Sequence, residues 1–141
     1  MKISEQLTNI YHKFESWHKK KLSIEESNQY HEKLLMQGNI ITIIEDEELK
    51  AYIEVWRINH EQLGRIVCDI PFFVYDENIV NGQIAYIANM WIDEMYRETI
   101  INQKLVQNFI NKFGDCDFVV GKKTNRHNNF RAYSMKQIKG V

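Results

Sequence analysis

The sequence is short of the residues that interrupt regular structure, with one proline and six glycines in 141 residues. This composition argues against a loop-rich scaffold. Its two cysteines, Cys68 and Cys116, are too far apart for a zinc-site spacing, so we expect buried thiols in a reducing, cytoplasmic setting. The five histidines show no ligand spacing either, and we expect no metal site. No apolar run approaches the roughly 20 residues of a membrane-spanning helix, and the charged N-terminal segment is unlike a signal peptide. We therefore expect no association with a membrane.

The overall composition is that of an ordinary globular protein. Hydrophobic residues make up 44% of the chain and charged residues 26%, which excludes disorder and collagen-like repeats. The length suits one domain, and no internal repeat or linker divides the sequence, so residues 1–141 are predicted to form a single domain. The formal net charge of −1 argues against a protein that binds nucleic acid over its whole surface.

Two helices are predicted at the N-terminus. Apolar residues recur at alternating spacings of four and three from Ile3 to Trp17, which places them on one face of a first helix. This face packs on the protein's own core or binds a partner, and a homodimer is one such arrangement. The second helix begins at Ser23, because Ser23 and Glu26 have the spacing of a capping box, and ends at Gly38.

Strands follow the two helices. Ile40–Ile44 and Leu49–Ile58 are predicted to form an antiparallel hairpin around the acidic turn Glu45–Glu48. Arg65–Tyr75, which the single proline interrupts, is predicted to be a third strand at an edge or bend. Gln83–Ile92 is apolar enough to be a central fourth strand.

A third helix is predicted to open at Tyr96 and Arg97 and to end at Gly114, with apolar residues at steps of four along its buried face. Phe118–Gly121 is predicted to be a further buried strand. The order α-α-β-β-β-β-α-β indicates an α+β or mixed α/β fold. The helix that follows the central strand either binds an anion with its unpaired N–H groups or makes a plain connection.

Residues 86–97, YIANMWIDEMYR, resemble motif A of the GNAT superfamily of N-acetyltransferases. In that family a central strand ends in a V-x-P-x-Y-R-like phrase and runs into the helix that holds the pyrophosphate of acetyl-CoA. Ile92 stands at the Val position, and Tyr96 and Arg97 stand at the Tyr-Arg. The resemblance implies a GNAT-like fold, with two N-terminal helices, a mostly antiparallel central sheet splayed after the fourth strand, one crossover helix and a shortened C-terminal end.

The C-terminal segment adds to this resemblance. Asn125, Asn129 and Tyr133 follow the strand at Phe118–Gly121, similar to motif B of the same family. The run from Lys122 to Tyr133 is rich in Lys, Arg, Asn and Tyr, and it resembles the endings of short phage-encoded acetyltransferase-like proteins. This resemblance implies the host cytoplasm or a virion as the location.

The sequence departs from the family after the arginine. Where the family has R-x-x-G-x-G or R-x-x-G-x-A, this chain has larger residues at both small positions, Ile100 and Asn102. Glycine at such positions lets backbone amides approach a pyrophosphate closely. Motif A is therefore degenerate. Binding of acetyl-CoA, the co-substrate that the resemblance implies, would depend on backbone N–H groups.

The resemblance also assigns site residues. The backbone of Met90, Trp91 and Ile92 would hold the pantetheine arm and polarise the thioester carbonyl. The remaining cofactor-binding residues would be Arg97, Glu98, Thr99, Ile100, Ile101, Asn102 and Asn129.

Two residues are predicted to be catalytic. Tyr133 would be the general acid, because a phenol can donate a proton to the leaving thiolate. Alternatively, Tyr133 has a structural role, in which its ring packs the last element of the fold and its hydroxyl is hydrogen-bonded. Glu54 shares a strand face with Tyr52 and Trp56, and either lines an acceptor groove as the general base or faces solvent. His60 is a second candidate base.

Charge is distributed unevenly. From Phe118 to Val141 the chain has six basic residues and no acidic one, against 12 basic and 19 acidic residues in 1–117. The basic tail, residues 122–139, contacts the phosphates of coenzyme A, faces nucleic acid, or forms a solvated edge.

These observations predict an N-acetyltransferase-like protein that transfers acetyl from acetyl-CoA to a small-molecule or protein amine. The alternative is a catalytically inactive GNAT-fold protein with a binding or structural role, in a phage particle or against a host factor. A third hypothesis is a protein that associates with nucleic acid through the basic tail.

Overall fold

The computed structural model describes residues 1–13, 22–67, 82–96, 99–122 and 130–140. The helices and strands follow one another as α1 (Ile3–Lys13), α2 (Ile24–Gln37), β1 (Ile40–Glu45), β2 (Glu48–Ile58), α3 (His60–Val67), β3 (Ile84–Ile92), α4 (Ile100–Phe113), β4 (Phe118–Lys122), β5 (Phe130–Ser134) and α5 (Met135–Lys139). A short 3₁₀ turn, Glu94–Tyr96, lies between β3 and α4. The predictions for Cys68, Arg97, Glu98, Asn125 and Asn129 lie outside the described residues.

The five strands form one sheet, and they lie side by side in chain order. β1 pairs with β2, β2 with β3 and β4 with β5, each pair antiparallel, whereas β3 and β4 run parallel. A parallel pair needs a crossover between its strands, and α4 supplies it. The predicted mixed fold, with a mostly antiparallel sheet and one late crossover helix, is confirmed.

Helices cover both faces of the sheet. On one face, α4 buries four side chains at steps of four, and each is at most 3% exposed: Ile101, Leu105, Phe109 and Phe113. On the other face, Leu7 of α1 and Leu34 of α2 pack against Tyr52, Trp56 and Tyr86 of the sheet. The apolar stripe predicted for the first helix therefore packs on the protein's own core over the part that is described.

Several local predictions are confirmed by backbone geometry. The Ser23 hydroxyl accepts from the Glu26 N–H while the Glu26 carboxylate accepts from the Ser23 N–H, which is the predicted capping box. Gly38 ends α2 in the left-handed conformation, with φ of 75°. The predicted acidic turn joins β1 to β2 through Asp46 and Glu47, both at positive φ.

Two predicted boundaries are wrong. Residues 65–67, predicted to begin a strand at Arg65–Tyr75, belong to helix α3 instead. Asn59 and Gln62 cap that helix reciprocally, since each side chain accepts a hydrogen bond from the backbone N–H of the other. Residues 68–75 of the predicted strand lie outside the described residues.

The third predicted helix begins later than Tyr96 and Arg97. Tyr96 ends the 3₁₀ turn, and α4 starts at Ile100, because the hydroxyl of Thr99 accepts from the Ile101 N–H and forms the N-cap. Its predicted end at Gly114 is confirmed.

Cys116 is 2% exposed, as predicted for a buried thiol, and burial raises its pKa. Among the residues described, no helix combines the length and the apolarity that crossing a membrane requires.

Candidate functional site

Strands β3 and β4 pair over only part of their length. The parallel pairing runs from Ile84, opposite Phe118, to Ile87, opposite Gly121. β3 continues to Ile92 and stays paired with β2 on its other side. Within the described ranges, no strand pairs with residues 88–92 on the side of β4. This is the splay after the fourth predicted strand that the resemblance implied.

A β-bulge lies where the two strands part. Glu54 of β2 lies opposite Asn89, whereas the next residue, Val55, lies opposite Ile87, so that Ala88 has no counterpart in β2. A bulge bends its strand and increases the local twist, and bulges are common next to active sites. This bulge lies between the part of β3 that pairs with both neighbours and the part that pairs with β2 alone.

The three residues predicted to hold the pantetheine arm come directly after the bulge. Met90 is half exposed, Trp91 is partly buried and stacks on Tyr52 with ring centroids 6.3 Å apart, and Ile92 is partly buried. Trp91 and Ile92 pack on opposite faces of the sheet, and this packing limits the movement of the backbone at these two residues.

The start of α4 lies eight residues beyond the end of β3. Thr99 already occupies two of its amides: its hydroxyl accepts from the Ile101 N–H at 3.3 Å, and its carbonyl accepts from the Asn102 N–H at 3.1 Å. Ile100, which stands at the first of the family's small positions, is 63% exposed, so its side chain is not buried in this turn.

Lys50 brings a positive charge to the same end of the sheet. Its carbonyl accepts from the Asp93 N–H at 3.0 Å, which ties the residue after β3 to β2. Its ammonium group lies 2.9 Å from a carboxylate oxygen of Glu48 and 4.9 Å from the ring centroid of Tyr96. Hydrogen bonds to Glu48 and Tyr96 raise the pKa of Lys50, which keeps it charged.

Glu54 is 2% exposed, so the prediction that it could face solvent is wrong. Its Oε2 accepts from the Tyr30 hydroxyl at 2.6 Å and from the Trp56 indole N–H at 2.7 Å. Its Oε1 accepts from the Asn89 amide at 3.1 Å. The carboxylate therefore joins α2, β2 and the bulge of β3, and the hydrogen bonds compensate its removal from water.

The other two candidate catalysts lie apart from residues 90–92. Tyr133, on β5, is 41% exposed. It pairs with Val119 of β4, which in turn lies opposite Ala85, the second residue of β3. Met90 lies five positions beyond Ala85, or about 16 Å along the strand. The role of Tyr133 as general acid stays a prediction. His60 is exposed at the first position of α3, and its role as a base also stays a prediction.

Two solved structures share this architecture. One is an N-acetyltransferase from Staphylococcus aureus Mu50, 14% identical, with a TM-score of 0.51 over 85% of this chain and 68% of the other. The second, from the same organism, was described as a candidate acetyltransferase and was solved at 2.50 Å resolution. It is 13% identical, with a TM-score of 0.54 over 96% of this chain and 97% of the other.

The chain has a GNAT-like fold. At these identities the likeness shows the fold alone. No protein-family model matches the sequence, and the search of curated proteins also found no match.

Within this GNAT-like fold, sequence reasoning missed Tyr30, Lys50 and Asn89. Tyr30 lies on α2, far in sequence from its partner Glu54, and no spacing rule predicts that contact. Asn89 carried a weak signal, because a polar residue at the middle of an otherwise apolar strand is a common mark of a bulge or a buried hydrogen bond. In the described part of the chain, no group of three or more His, Cys, Asp or Glu side chains could hold a metal ion.

Proposed function

We propose that this protein transfers the acetyl group of acetyl-CoA to an amine. One observation carries the proposal: β3 parts from β4 at Ile87 and continues for five residues that pair with β2 but with no described strand on the other side, directly before the turn that leads into α4. The fold shared with N-acetyltransferases supports it.

The residues at this end of the sheet suit an elongated anionic thioester. On the side where no described strand pairs with them, residues 88–92 offer backbone N–H and C=O groups to an extended arm, as an added strand would use them. The N-terminus of α4 supplies positive potential for phosphates, and the ammonium of Lys50, whose charge the Glu48 carboxylate partly offsets, lies at the same end of the sheet.

Acetyl-CoA would supply an activated acetyl group. In the overall reaction a C–N bond forms to the amine nitrogen, the C–S bond of the thioester breaks, and the amine proton is balanced by protonation of the thiolate. The role of this protein is to hold the thioester against the backbone of Met90–Ile92. An N–H group directed at the carbonyl oxygen stabilises the negative charge that develops there.

A catalytically inactive protein of the same fold is the second candidate, and the cap of α4 favours it. Thr99 takes up the N–H groups of Ile101 and Asn102, two of the amides that the resemblance assigned to the pyrophosphate. If those bonds persist, fewer amides remain for the ligand.

Isothermal titration of the full chain with acetyl-CoA tests the proposal. We expect saturable binding with a Kd below about 1 mM, followed by release of thiol when a panel of small amines and peptides is added. Absence of heat at millimolar acetyl-CoA would contradict the proposal. Binding without thiol release above the buffer rate would favour the inactive protein.

A pair of matched variants locates the site. Met90→Glu places a carboxylate beside the proposed ligand and should raise the Kd about tenfold, because the ligand is anionic. Met36→Glu makes the same exchange at an exposed methionine on α2 and should leave the Kd within about twofold. Equal effects of the two variants would place the ligand elsewhere.

A further inference from the structure

The buried carboxylate of Glu54 has one feature that an acid–base catalyst does not need: each of its oxygens is bonded to a different part of the fold. Oε2 accepts from Tyr30 on α2 and from Trp56 on β2. Oε1 accepts from Asn89, which lies directly opposite Glu54 in the ladder and follows the bulged residue Ala88.

The position of Asn89 gives this contact its importance. The next residue, Met90, is the first of the three that are predicted to hold the pantetheine arm, and it lies within residues 88–92, beyond the pairing with β4. In a bulge the ladder is locally disrupted, so the backbone there is held less firmly by its neighbour strand. A side-chain hydrogen bond from Asn89 to a rigidly held carboxylate replaces part of that support.

We infer that Glu54 is a positioning residue, which fixes the β3 bulge through Asn89 and so aims the backbone amides of Met90–Ile92. The part of this inference that concerns the thioester rests on the proposed function. The part that concerns the bulge stands on the hydrogen bonds alone. Glu54 acts through Asn89 and the backbone, without taking a proton from the amine.

The surroundings of Glu54 support this role over that of a general base. The side chain is 2% exposed, and three donors occupy its two oxygens. A base must lie within hydrogen-bond reach of the proton that it removes. The one acceptor site that these donors leave, on Oε1, lies on a side chain that is 2% exposed, so burial keeps an amine from reaching it.

The substitution Glu54→Gln separates the two roles. The oxygen of Gln can accept from Tyr30 and Trp56 in place of Oε2, and its NH₂ group can donate to Asn89 once the Asn amide turns over. The bulge contact is therefore kept, although the negative charge and the capacity to take a proton are lost. Asn89→Ala does the reverse, because it keeps the carboxylate and removes the bulge contact.

Amide hydrogen exchange of the full chain, without any ligand, is the first readout. For Asn89→Ala we expect exchange to rise about tenfold at those amides of residues 90–92 that bond to β2, whereas β1 and the middle of α4 stay unchanged. For Glu54→Gln we expect rates within about threefold of the original chain. A role in overall stability alone would raise exchange in β1 and α4 as well, and that result would overturn the inference.

If Asn89→Ala does not fold, exchanging the acid and the amide between positions 54 and 89 provides a second test. Asn89→Asp places two carboxylates face to face and should disturb residues 90–92. Adding Glu54→Gln to it lets the Gln NH₂ donate to the new carboxylate and should restore slow exchange. Additive effects of the two substitutions, with no restoration, would contradict the inference.

The Kd of acetyl-CoA is the second readout. We expect about a tenfold increase for Asn89→Ala and less than about a threefold change for Glu54→Gln. Loss of acetyl transfer in Glu54→Gln, with unchanged Kd and unchanged exchange, would make Glu54 a base and overturn the inference. If the original chain binds no acetyl-CoA, the proposed function fails, and the exchange data still decide the role of Glu54 at the bulge.

Discussion

Arg57 and Asp115 are joined by two hydrogen bonds of 2.8 Å, although 58 positions separate them in the chain. The guanidinium group of Arg57 also donates to the carbonyl of Lys112 and lies 5.1 Å from the ring centroid of Phe113. This bidentate contact ties the end of β2 to the turn after α4, far from the splayed end of the sheet.

The Arg57–Asp115 pair predicts an acid dependence of stability. The Arg57 guanidinium holds the pKa of the Asp115 carboxyl below its usual value of 3.8. The stabilisation is therefore fully present above that value and is lost as the pH falls through the lower pKa of the folded protein. We expect Asp115→Asn to lower the melting temperature at about pH 6 and to differ less from the original chain at about pH 3.

Thermal unfolding followed by circular dichroism measures this difference. Asp46→Asn, in the exposed turn between β1 and β2, is the control for loss of a surface carboxylate. A melting-temperature difference for Asp115→Asn that is the same at both pH values would contradict the prediction.

Two glycines should respond to alanine in opposite directions. A Cβ at Gly82 would lie 2.6 Å from the backbone N and C of Ile58, which cannot move without disturbing β2. We expect Gly82→Ala to lower the free energy of unfolding by about 1–3 kcal/mol. Gly64, inside α3, has open space where a Cβ would lie. We therefore expect Gly64→Ala to raise the free energy of unfolding by about 0.5–1 kcal/mol. Urea denaturation compares the two variants, and destabilisation by both would show that α3 does not tolerate the extra methyl group.

Shortening Ile100 should improve binding of acetyl-CoA. Its side chain is 63% exposed at the first position of α4, where the resemblance leads us to expect a small residue. Because little of it is buried, Ile100→Ala should leave stability nearly unchanged and lower the Kd about threefold, by clearing the approach to the turn. Val106→Ala, which truncates another exposed residue of α4, should have no effect on the Kd. An unchanged or weaker affinity in Ile100→Ala would show that this side chain does not obstruct the ligand.

The cap of α2 should contribute measurably to stability. Ser23→Ala removes the acceptor of the Glu26 N–H and should lower the free energy of unfolding by about 1 kcal/mol. Glu25→Ala removes only a charge near the same helix terminus, for which a few tenths of a kcal/mol are expected. Denaturant titrations distinguish the two, and equal losses would mean that the hydroxyl contributes no more than a nearby charge.

The parts of the fold that sequence predicted correctly are those fixed by neighbours in the chain. The capping box of α2, the hairpin around Asp46 and Glu47, and the four-residue steps of α4 each depend on contacts within a few residues. The prediction of a strand at residues 65–67 was wrong for a local reason too. Asn59 and Gln62 have the spacing of a reciprocal cap, which favours a helix at this point over the strand that the apolar residues after it suggest.

The location of the candidate site stays a prediction from the resemblance, and the arrangement of the side chains around Glu54 could not be predicted from the sequence. The alternation of β2 correctly placed Glu54 beside Trp56, and the resemblance indicated the end of β3. Burial of Glu54, however, depends on Tyr30 from a helix 24 positions earlier in the chain, and the bulge depends on the register between β2 and β3. Neither follows from a pattern within one segment, because each is decided only when separate elements pack together.

The side-by-side arrangement of the strands bears on how the protein reaches its native state. Since β1 to β5 are neighbours in the sheet as they are in the chain, each strand is added at the edge of those already paired. None has to be inserted between two others. The β1–β2 hairpin closes the shortest loop and is expected to form first, because short loops have the smallest entropic penalty. The sheet can then assemble in the direction of synthesis. The pairing of β2 with the splayed end of β3 can therefore form before β5 joins the sheet.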